Sequence, residues 1–375
     1  FKLEQNYRST QNIVNAANSV IAKNRRQYEK KVFSTNDVGE PIYVLTTVSD
    51  LEEADVVVRK IAANHRNYAY RDMAILYRTN AQSRTFEEAM RRVRIPYRIY
   101  GGLSFYQRKE VKDVIAYCRV TVNPYDEEAL RRIINYPARG IGNTTLTRLS
   151  ECAGVLGCGL WQVLLDMPPM LDVSAGAKKK LIAFRDLIKM YIALEAEMPA
   201  SELMNKIIRT SGIYEDLWHS SDPDDISRQE NVQELINACT AFEEAQLEAG
   251  DESLMRYYLQ EVSLLTDMDQ DDSEGDDKVT LMTIHAAKGL EFPVVHVVGM
   301  EEEIFPGEHA SDSPKSLEEE RRLFYVALTR AGSLCYLSHA RMRRRYGQTN
   351  FQTPSRFLKD IDSRLIRAQR MTFGR

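Results

Sequence analysis

Long apolar runs and paired cysteines are both missing from this chain of 375 residues. No stretch approaches the ~18 consecutive apolar residues of a membrane-spanning helix, and the opening residues, FKLEQNYRST, do not form a signal peptide. The five cysteines are an odd number and form no C-x-x-C pair, which argues against a disulfide framework. We therefore expect a cytoplasmic protein with reduced thiols. The first residue is Phe rather than Met, so we also expect the chain to be part of a longer one.

Two signatures of nucleotide hydrolysis are absent as well. No G-x-x-x-x-G-K-[ST] phosphate loop occurs, and no acidic DExx box follows a predicted strand. A complete phosphate-loop hydrolase is therefore excluded within this sequence, and we expect no metal ligands in it.

An excess of positive charge is missing too, since the net charge is −4. However, the run from Asp267 to Asp277 holds seven acidic residues and no basic one, which leaves the remainder of the chain at +3. Such a block of like charge predicts a solvated connector. Two basic clusters could be solvated faces or nucleic-acid contacts. They are Arg91, Arg92, Arg94 and Arg98, and Arg341, Arg343, Arg344 and Arg345.

What is present is an alternation of strand and helix patterns near the start of the chain. A helix is predicted over Gln11–Ala22 from apolar residues at helical spacing, with Ser9 or Thr10 as its N-cap. Alternating elements follow, and their order predicts a parallel sheet with right-handed crossovers. They are Pro41–Val48 (strand), Leu51–Asn64 (helix), Met73–Tyr77 (strand), Ala81–Val93 (helix) and Tyr97–Tyr100 (strand).

From about residue 110 to residue 260 the pattern is helical throughout, with breaks at proline and glycine. The chain is long enough for two substantial cores. We therefore predict an all-helical domain, residues 109–276, inserted into an α/β domain made of residues 1–108 and 277–375. The acidic run would form the return path of the insertion.

The α/β pattern resumes with two apolar runs, Val279–Ile284 and Val294–Val298, which predict buried strands of a parallel sheet. Between them lies the polar insert HAAKGLE, residues 285–291. Because ligands bind at the edges of such sheets, the insert is predicted to lie at a sheet edge and to belong to a ligand-binding site. Leu317–Arg330 then predicts a helix with one buried face.

Three ordered motifs give a specific resemblance. They are LEQNYRST at residues 3–10, TIHAAKGLEF with GMEEEIFP between residues 283 and 306, and EEERRLFYVALTRA at residues 318–331. Together they resemble the superfamily 1 DNA helicases of the UvrD, PcrA and Rep group, and the resemblance extends over nearly the whole chain. It implies the C-terminal part of such an enzyme: a second RecA-like, phosphate-loop-NTPase-like α/β domain, discontinuous in sequence, with a helical domain inserted.

The resemblance assigns four residues to an ATP site. Tyr7 would stack on adenine, Glu291 would accept a hydrogen bond from the ribose, and Arg8 and Arg330 would reach the phosphates. The phosphate loop and the Mg²⁺ ligands would lie in N-terminal domains outside this sequence. Taken singly, Tyr7 could be a core residue, Arg8 could pair with a neighbouring carboxylate, and Arg330 could be a surface arginine near a helix C-terminus.

DNA is the other partner that the resemblance implies. Arg78, Asn80, Thr283 and His285 would contact single-stranded DNA, although His285 alone could be a core or capping residue. The segment Arg139-Gly140-Ile141-Gly142 would hold the duplex backbone through amide groups that approach a phosphate closely. A plain glycine turn between two helices is the alternative reading of that segment.

The implied activity is ATP-dependent 3′ to 5′ DNA unwinding in DNA repair or replication. This sequence alone is expected to be inactive because it lacks the phosphate loop. Three alternatives stay open: a non-catalytic DNA-binding module, the helicase part of a helicase–nuclease, and a catalytically inactive partner-binding relative.

Overall fold

The computed structural model describes residues 4–25, 32–219, 222–267, 275–345 and 348–370. The chain divides into two compact units, one formed by Phe1–Phe105 with Asp271–Arg375 and the other by Tyr106–Gln270. Most of the acidic run, residues 268–274, lies outside the described residues. Among the described helices, none combines the length and apolar character needed to cross a membrane.

The first unit is built on a sheet of eight strands in the order β10-β3-β8-β7-β4-β6-β5, with β9 paired to the far end of β8. Every pair along that order is parallel, and only β8 and β9 run antiparallel. Two short strands, β1 and β2, form a separate parallel pair. The strands are β1 (Gln5–Asn6), β2 (Phe33–Ser34), β3 (Ile42–Ser49), β4 (Met73–Tyr77), β5 (Tyr97–Ile99), β6 (Val279–Thr283), β7 (Phe292–Val297), β8 (Ala331–Arg345), β9 (Gln348–Phe351) and β10 (Ile366–Arg370).

Helices cover both faces of this sheet, and a run of helices makes up the second unit. The helices are α1 (Gln11–Ile21), α2 (Asp50–Asn64), α3 (Ser83–Arg92), α4 (Lys109–Val122), α5 (Glu127–Ile133), α6 (Asn143–Leu156), α7 (Leu160–Asp166), α8 (Ala175–Glu195), α9 (Ala200–Ser211), α10 (Ile213–Trp218), α11 (Pro223–Ala249), α12 (Met255–Asp267) and α13 (Pro314–Leu328). One core contains the apolar faces of α1 and α13, and a second core contains those of α2 and α3. The predicted α/β class with a parallel sheet is confirmed.

Residues 284–291, which contain the polar insert, connect β6 to β7 differently from what the sequence predicts. Ile284 follows the carboxyl end of β6, whereas Glu291 precedes the amino end of β7. Because both strands are parallel to β4, the connection must return across a face of the sheet, over about 20 Å at 3.3 Å per residue. Ile284 and Ala287 are buried in the core with α1 and α13. The prediction of a single edge is therefore wrong, and the two ends of the insert lie at opposite edges.

Each of the two basic clusters contains one buried arginine that is paired with carboxylates, whereas Arg92, Arg94, Arg98 and Arg341 are exposed. Arg91 is buried and forms an ion pair with the fully buried Glu87, at 3.2 Å. Arg343 is also buried, and its guanidinium lies between two carboxylates with no solvent exposure, Glu53 at 2.6 Å and Glu301 at 2.8 Å. A buried charge is tolerated only where such partners surround it.

Further donors complete the hydrogen bonding of these two carboxylates. Glu53 accepts from the amide of Gly299 and the hydroxyl of Ser338, and Glu301 accepts from the amide of Ala340. The network therefore connects α2 and β8 to the loop that follows β7.

His296 on β7 is a buried histidine whose ring nitrogens have no hydrogen-bond partner within the described part of the chain. Its ring stacks on Tyr336 at 4.6 Å between centroids, and Tyr336 in turn stacks on Tyr43. Burial, reinforced by the charge of Lys60, lowers the pKa of His296 from 6.5 to about 3. The imidazole is therefore neutral in the folded protein at neutral pH.

This depressed pKa predicts a loss of stability in mild acid. The unfolded chain binds a proton at His296 below pH 6.5 and the folded chain does not until about pH 3, so lowering the pH favours unfolding. At pH 5 the expected loss is about 2 kcal/mol. Urea unfolding of the wild type and of His296→Phe, which keeps an aromatic ring against Tyr336, would measure it. Between pH 7 and pH 5, the free energy of unfolding should fall by about 2 kcal/mol less in the variant than in the wild type. Parallel pH profiles would contradict the prediction.

Candidate functional site

Four residues assigned above to a nucleotide lie at or beside the amino edge of the sheet. Glu291 directly precedes β7 and Arg330 directly precedes β8, and the amide of Phe292 donates to the carbonyl of Arg330 at 2.9 Å. The segment around Arg8 joins them, because the Ser9 hydroxyl donates to the carbonyl of Ala331 at 2.7 Å. The fold thus brings Arg8 into one cluster with Glu291 and Arg330, which follow it in sequence by about 280 or more positions.

Within this cluster Glu291 pairs with one arginine and lies close enough to a second to influence its pKa. Arg8 forms an ion pair with Glu291, and its guanidinium also donates to the carbonyl of Thr329 at 3.4 Å. Arg330 is half-buried and donates to the carbonyls of Leu290 at 2.9 Å and Val326 at 3.2 Å. Burial and the neighbouring Arg8 lower the pKa of Arg330, and Glu291 only partly offsets them. Two cations facing one anion leave a net positive site, which an anionic ligand would stabilise.

Tyr7 stands beside this positive site with 77% of its surface exposed. Its hydroxyl donates to Gln5 at 2.9 Å, and its carbonyl accepts from the side chain of Asn36 at 3.1 Å. Asn6 accepts from the amides of Arg8 and Ser9, which forms a tight turn before α1. The turn holds an exposed aromatic ring next to the arginines, and Tyr7 is not a core residue.

The first amides of α1 are not free to bind a phosphate. The amides of Gln11 and Asn12 donate to the carbonyls of Asp37 and Val38, each at 3.0 Å. Thr10 is the N-cap and makes no side-chain capping bond, and the Ser9 hydroxyl donates to the carbonyl of Ala331 in β8 instead of capping the helix. These two amides are therefore not available to a phosphate, whereas the guanidinium groups of Arg8 and Arg330 carry the positive charge of this edge.

A second cluster lies at the opposite, carboxyl edge, where β4 and β6 end. Arg78 follows β4, and Thr283 is the last residue of β6. Thr283 accepts the amide of Ala286 at 3.2 Å and so fixes the turn that exposes His285. Partial desolvation of the ring and the nearby Arg78 lower the pKa of His285, whereas Glu320 raises it. Arg78, His285 and Glu320 therefore share one electrostatic environment.

The turn after β4 is held from within. The side-chain oxygen of Gln82 accepts from the amides of Arg78 and Thr79 at 2.9 and 3.0 Å. Asn80 is exposed at the tip of this turn. Gly299 packs directly against Gln82, so closely that a β-carbon at Gly299 would lie 2.2 Å from the Gln82 side-chain nitrogen. The structure thus groups Arg78, Asn80, Thr283 and His285 at one edge.

The glycine segment of the second unit separates into structural and exposed residues. The Arg139 guanidinium donates to the carbonyls of Tyr136 and Ser211, each at 2.7 Å, and to the hydroxyl of Tyr117 at 2.6 Å. Ile141 is fully buried. These two side chains hold the loop in place, so substitutions there would disturb the fold of the loop.

Gly140 and Gly142 are exposed and flank the buried isoleucine. Gly140 has a φ of +68°, where a side chain is strained, and its carbonyl accepts from the amine of Lys180 at 3.1 Å. Gly142 is the N-cap of α6, with φ −79° and open space where a β-carbon would lie. The loop presents backbone at the start of a helix beside an exposed lysine.

Sequence reasoning missed two residues that belong to these clusters. Glu320 sits in an acidic stretch of α13 that reads as a solvated face, and Lys180 sits in a run of three lysines that reads the same way. Only the contacts of Glu320 with Arg78 and of Lys180 with Gly140 distinguish these two residues from the other charged residues of their stretches. Three consecutive lysines in the first two turns of α8 oppose the helix dipole, which is the one sequence signal that was available.

Comparisons with known proteins agree with the motifs. A family model described as the UvrD-like helicase C-terminal domain matches residues 1–342. The ATP-dependent DNA helicase PcrA of Leuconostoc citreum is 39% identical over 368 residues, which cover 97% of this chain and 49% of that protein. PcrA of Staphylococcus aureus strain Mu50 is 39% identical over 367 residues, covering 97% and 50%. The chain therefore spans about half the length of these curated relatives.

Among solved structures, the C-terminal domain of a possible DNA helicase from a Lactobacillus aligns over 96% of this chain and 98% of its own, with 11% identity and a TM-score of 0.37. A score of that size does not establish a shared arrangement.

Proposed function

The chain belongs to the UvrD-like helicase C-terminal family, and we propose that it supplies the second half of an ATP-dependent 3′ to 5′ DNA helicase acting in DNA repair or replication. Residues 1–108 and 277–375 would form the RecA-like domain that completes the ATP site. Residues 109–276 would form the duplex-contacting domain. N-terminal domains outside this sequence would provide the phosphate loop and the Mg²⁺ ligands.

The observation that carries the nucleotide proposal is the pair of arginines around Glu291. Arg8 and Arg330 leave a net positive charge beside the exposed ring of Tyr7. That combination suits a nucleotide, because a guanidinium binds phosphate oxygens in two-point contacts and an aromatic ring stacks on a base. Glu291 is 57% exposed and could exchange its contact with Arg8 for a ribose hydroxyl.

The chemistry proposed for this edge is electrostatic. Arg330 would stabilise the charge that develops on the transferred phosphoryl group, as an arginine supplied from a second domain does in related hydrolases. Arg8 would bind the terminal phosphate and hold it in position. Neither residue has a role in activating the attacking water, which would be the task of the N-terminal domains.

DNA would be bound at the other edge of the same sheet. The exposed Asn80 and His285, with Arg78 and Thr283 beneath them, form a polar surface at the ends of two neighbouring strands. Such a surface would bind the backbone of a single strand without regard to sequence. Closing and opening of the ATP cleft would then move the strand relative to the N-terminal domains.

Fluorescence anisotropy tests the DNA-binding part of this proposal with the chain as it stands. We expect binding to a 3′-tailed duplex to exceed binding to a blunt duplex and to weaken as salt is raised. Gly142→Ala adds a methyl group in open space with no backbone strain, so its effect would be to obstruct a phosphate that approaches the backbone amides of the loop. Loss of one hydrogen bond between an amide and a phosphate, about 1 kcal/mol, should weaken the tailed-duplex complex about fivefold.

Gly154→Ala is the control, because Gly154 lies within α6, the helix that Gly142 caps, and also has nothing within 4 Å of an added β-carbon. Equal affinities of the two alanine variants would remove the glycine loop from the DNA surface. Equal binding of tailed and blunt duplexes would contradict the junction-binding role.

A further inference from the structure

Arg78 at the carboxyl edge is already bound to a carboxylate. Its Nε lies 3.1 and 3.2 Å from the two carboxylate oxygens of Glu320, and its Nη2 lies 2.9 Å from one of them. The side chains are 26% and 14% exposed, so solvent screens the pair only in part. Glu320 belongs to α13 and Arg78 to the turn after β4, and the contact therefore joins a helix on the sheet's face to its edge.

The geometry of this pair determines what Arg78 can offer to DNA. An arginine binds a phosphate most strongly through two parallel N–H groups. In Arg78 the parallel pair formed by Nε and Nη2 faces Glu320. A DNA phosphate that uses the same donors must replace the carboxylate, so the two anions compete for one guanidinium.

The loop after β7 makes a second contact with the same carboxylate. The amide of Gly307 donates to Glu320 at 3.1 Å, on the oxygen that also faces the Arg78 Nε. Glu320 is thus fixed from two sides.

We propose that Glu320 is a positioning residue that limits the hold of Arg78 on single-stranded DNA. The inference rests on the proposed function, since it takes the carboxyl edge as the single-strand surface. Glu320 keeps the guanidinium in place when no DNA is bound and competes with the phosphate when DNA arrives. A helicase must release its strand in every cycle, and an internal competitor weakens the grip without removing the cation.

Glu320→Gln is the informative substitution. The glutamine oxygen can still accept the amide of Gly307, while the negative charge that competes for Arg78 is gone. We expect the variant to bind a single-stranded oligonucleotide about three- to tenfold more tightly. Because one more phosphate would be neutralised, the slope of log affinity against log salt should steepen by about 0.7. A purely structural role would leave that slope unchanged.

Two further variants separate this effect from general charge removal and from misfolding. Glu302→Gln removes the same charge from another two-point ion pair, with Arg356, and should leave the salt slope as in the wild type. Arg78→Gln in combination with Glu320→Gln should abolish the gain. Should Glu320→Gln not fold, Glu320→Asp keeps the charge but shortens the side chain, and it should give a smaller gain of the same sign.

The outcomes distinguish the inference from the function on which it rests. Salt-dependent binding of single strands by the wild type, with Glu320→Gln behaving like Glu302→Gln, would overturn the role of Glu320 and leave the DNA-binding role intact. Wild-type binding that neither depends on salt nor responds to Arg78→Gln would overturn the single-strand surface and the inference with it.

Discussion

Replacing Arg330 by lysine is expected to lower the rate of ATP hydrolysis by about a thousandfold, measured with this chain joined to its phosphate-loop domains. Lysine keeps the positive charge but lacks the planar fork that contacts two phosphate oxygens at once. The loss should appear mainly in kcat, because the contact is proposed to strengthen as charge develops on the transferred phosphoryl group.

An effect of the Arg330 substitution on catalysis must be distinguished from an effect on folding. Arg330 also donates to the carbonyls of Leu290 and Val326, so thermal unfolding should be recorded for each variant. Arg322→Lys is the control, since Arg322 lies on α13 with an exposed ion pair to Glu319 and should leave hydrolysis nearly unchanged. A folded Arg330→Lys protein with wild-type kcat would refute the proposed role.

The second large effect concerns stability. Replacing Arg343 by methionine is expected to lower the free energy of unfolding by about 3–5 kcal/mol. The substitution removes the cation between Glu53 and Glu301, both fully buried, and leaves two buried carboxylates without a cationic partner. Urea unfolding monitored by circular dichroism would measure the change.

Arg341→Met provides the comparison within the same strand. Arg341 is exposed on β8, so its replacement should change the free energy of unfolding by no more than about 0.5 kcal/mol. If both variants unfolded at the same urea concentration, the buried network would not be a source of stability.

Local sequence pattern predicts well those elements whose apolar residues are also the ones that the fold buries. The apolar run Met73–Tyr77 is a strand with the predicted bounds, and the helix patterns near Leu51 and Gln11 are correct to within one residue at each end. The strand β8 was missed, because its second half carries arginines that hide the apolar pattern. Burying Arg343 there requires Glu53 and Glu301, which lie far away in sequence. No local rule can anticipate such compensation.

Within the block that is predicted to be helical throughout, the sequence pattern does not mark the short helices α7 and α10 individually. With seven and six residues, they contain too few turns to show a clear period of 3.6. They are held by packing within the helical unit. Their apolar residues Leu160, Trp161 and Leu217 are buried there.

By itself the sequence determined the α/β class, the helical block and the residue types of the proposed sites, because periodicity and motif chemistry are local properties. Only the tertiary structure decided where those residues meet. It placed Arg8, Glu291 and Arg330 at one edge of the sheet and Arg78 and His285 at the other, since a parallel connection must return across the sheet. It also paired Arg78 with Glu320 and packed the guanidinium of Arg139 against carbonyl groups. Contacts between residues distant in sequence arise from packing and charge compensation in three dimensions, and no single stretch of the chain encodes them.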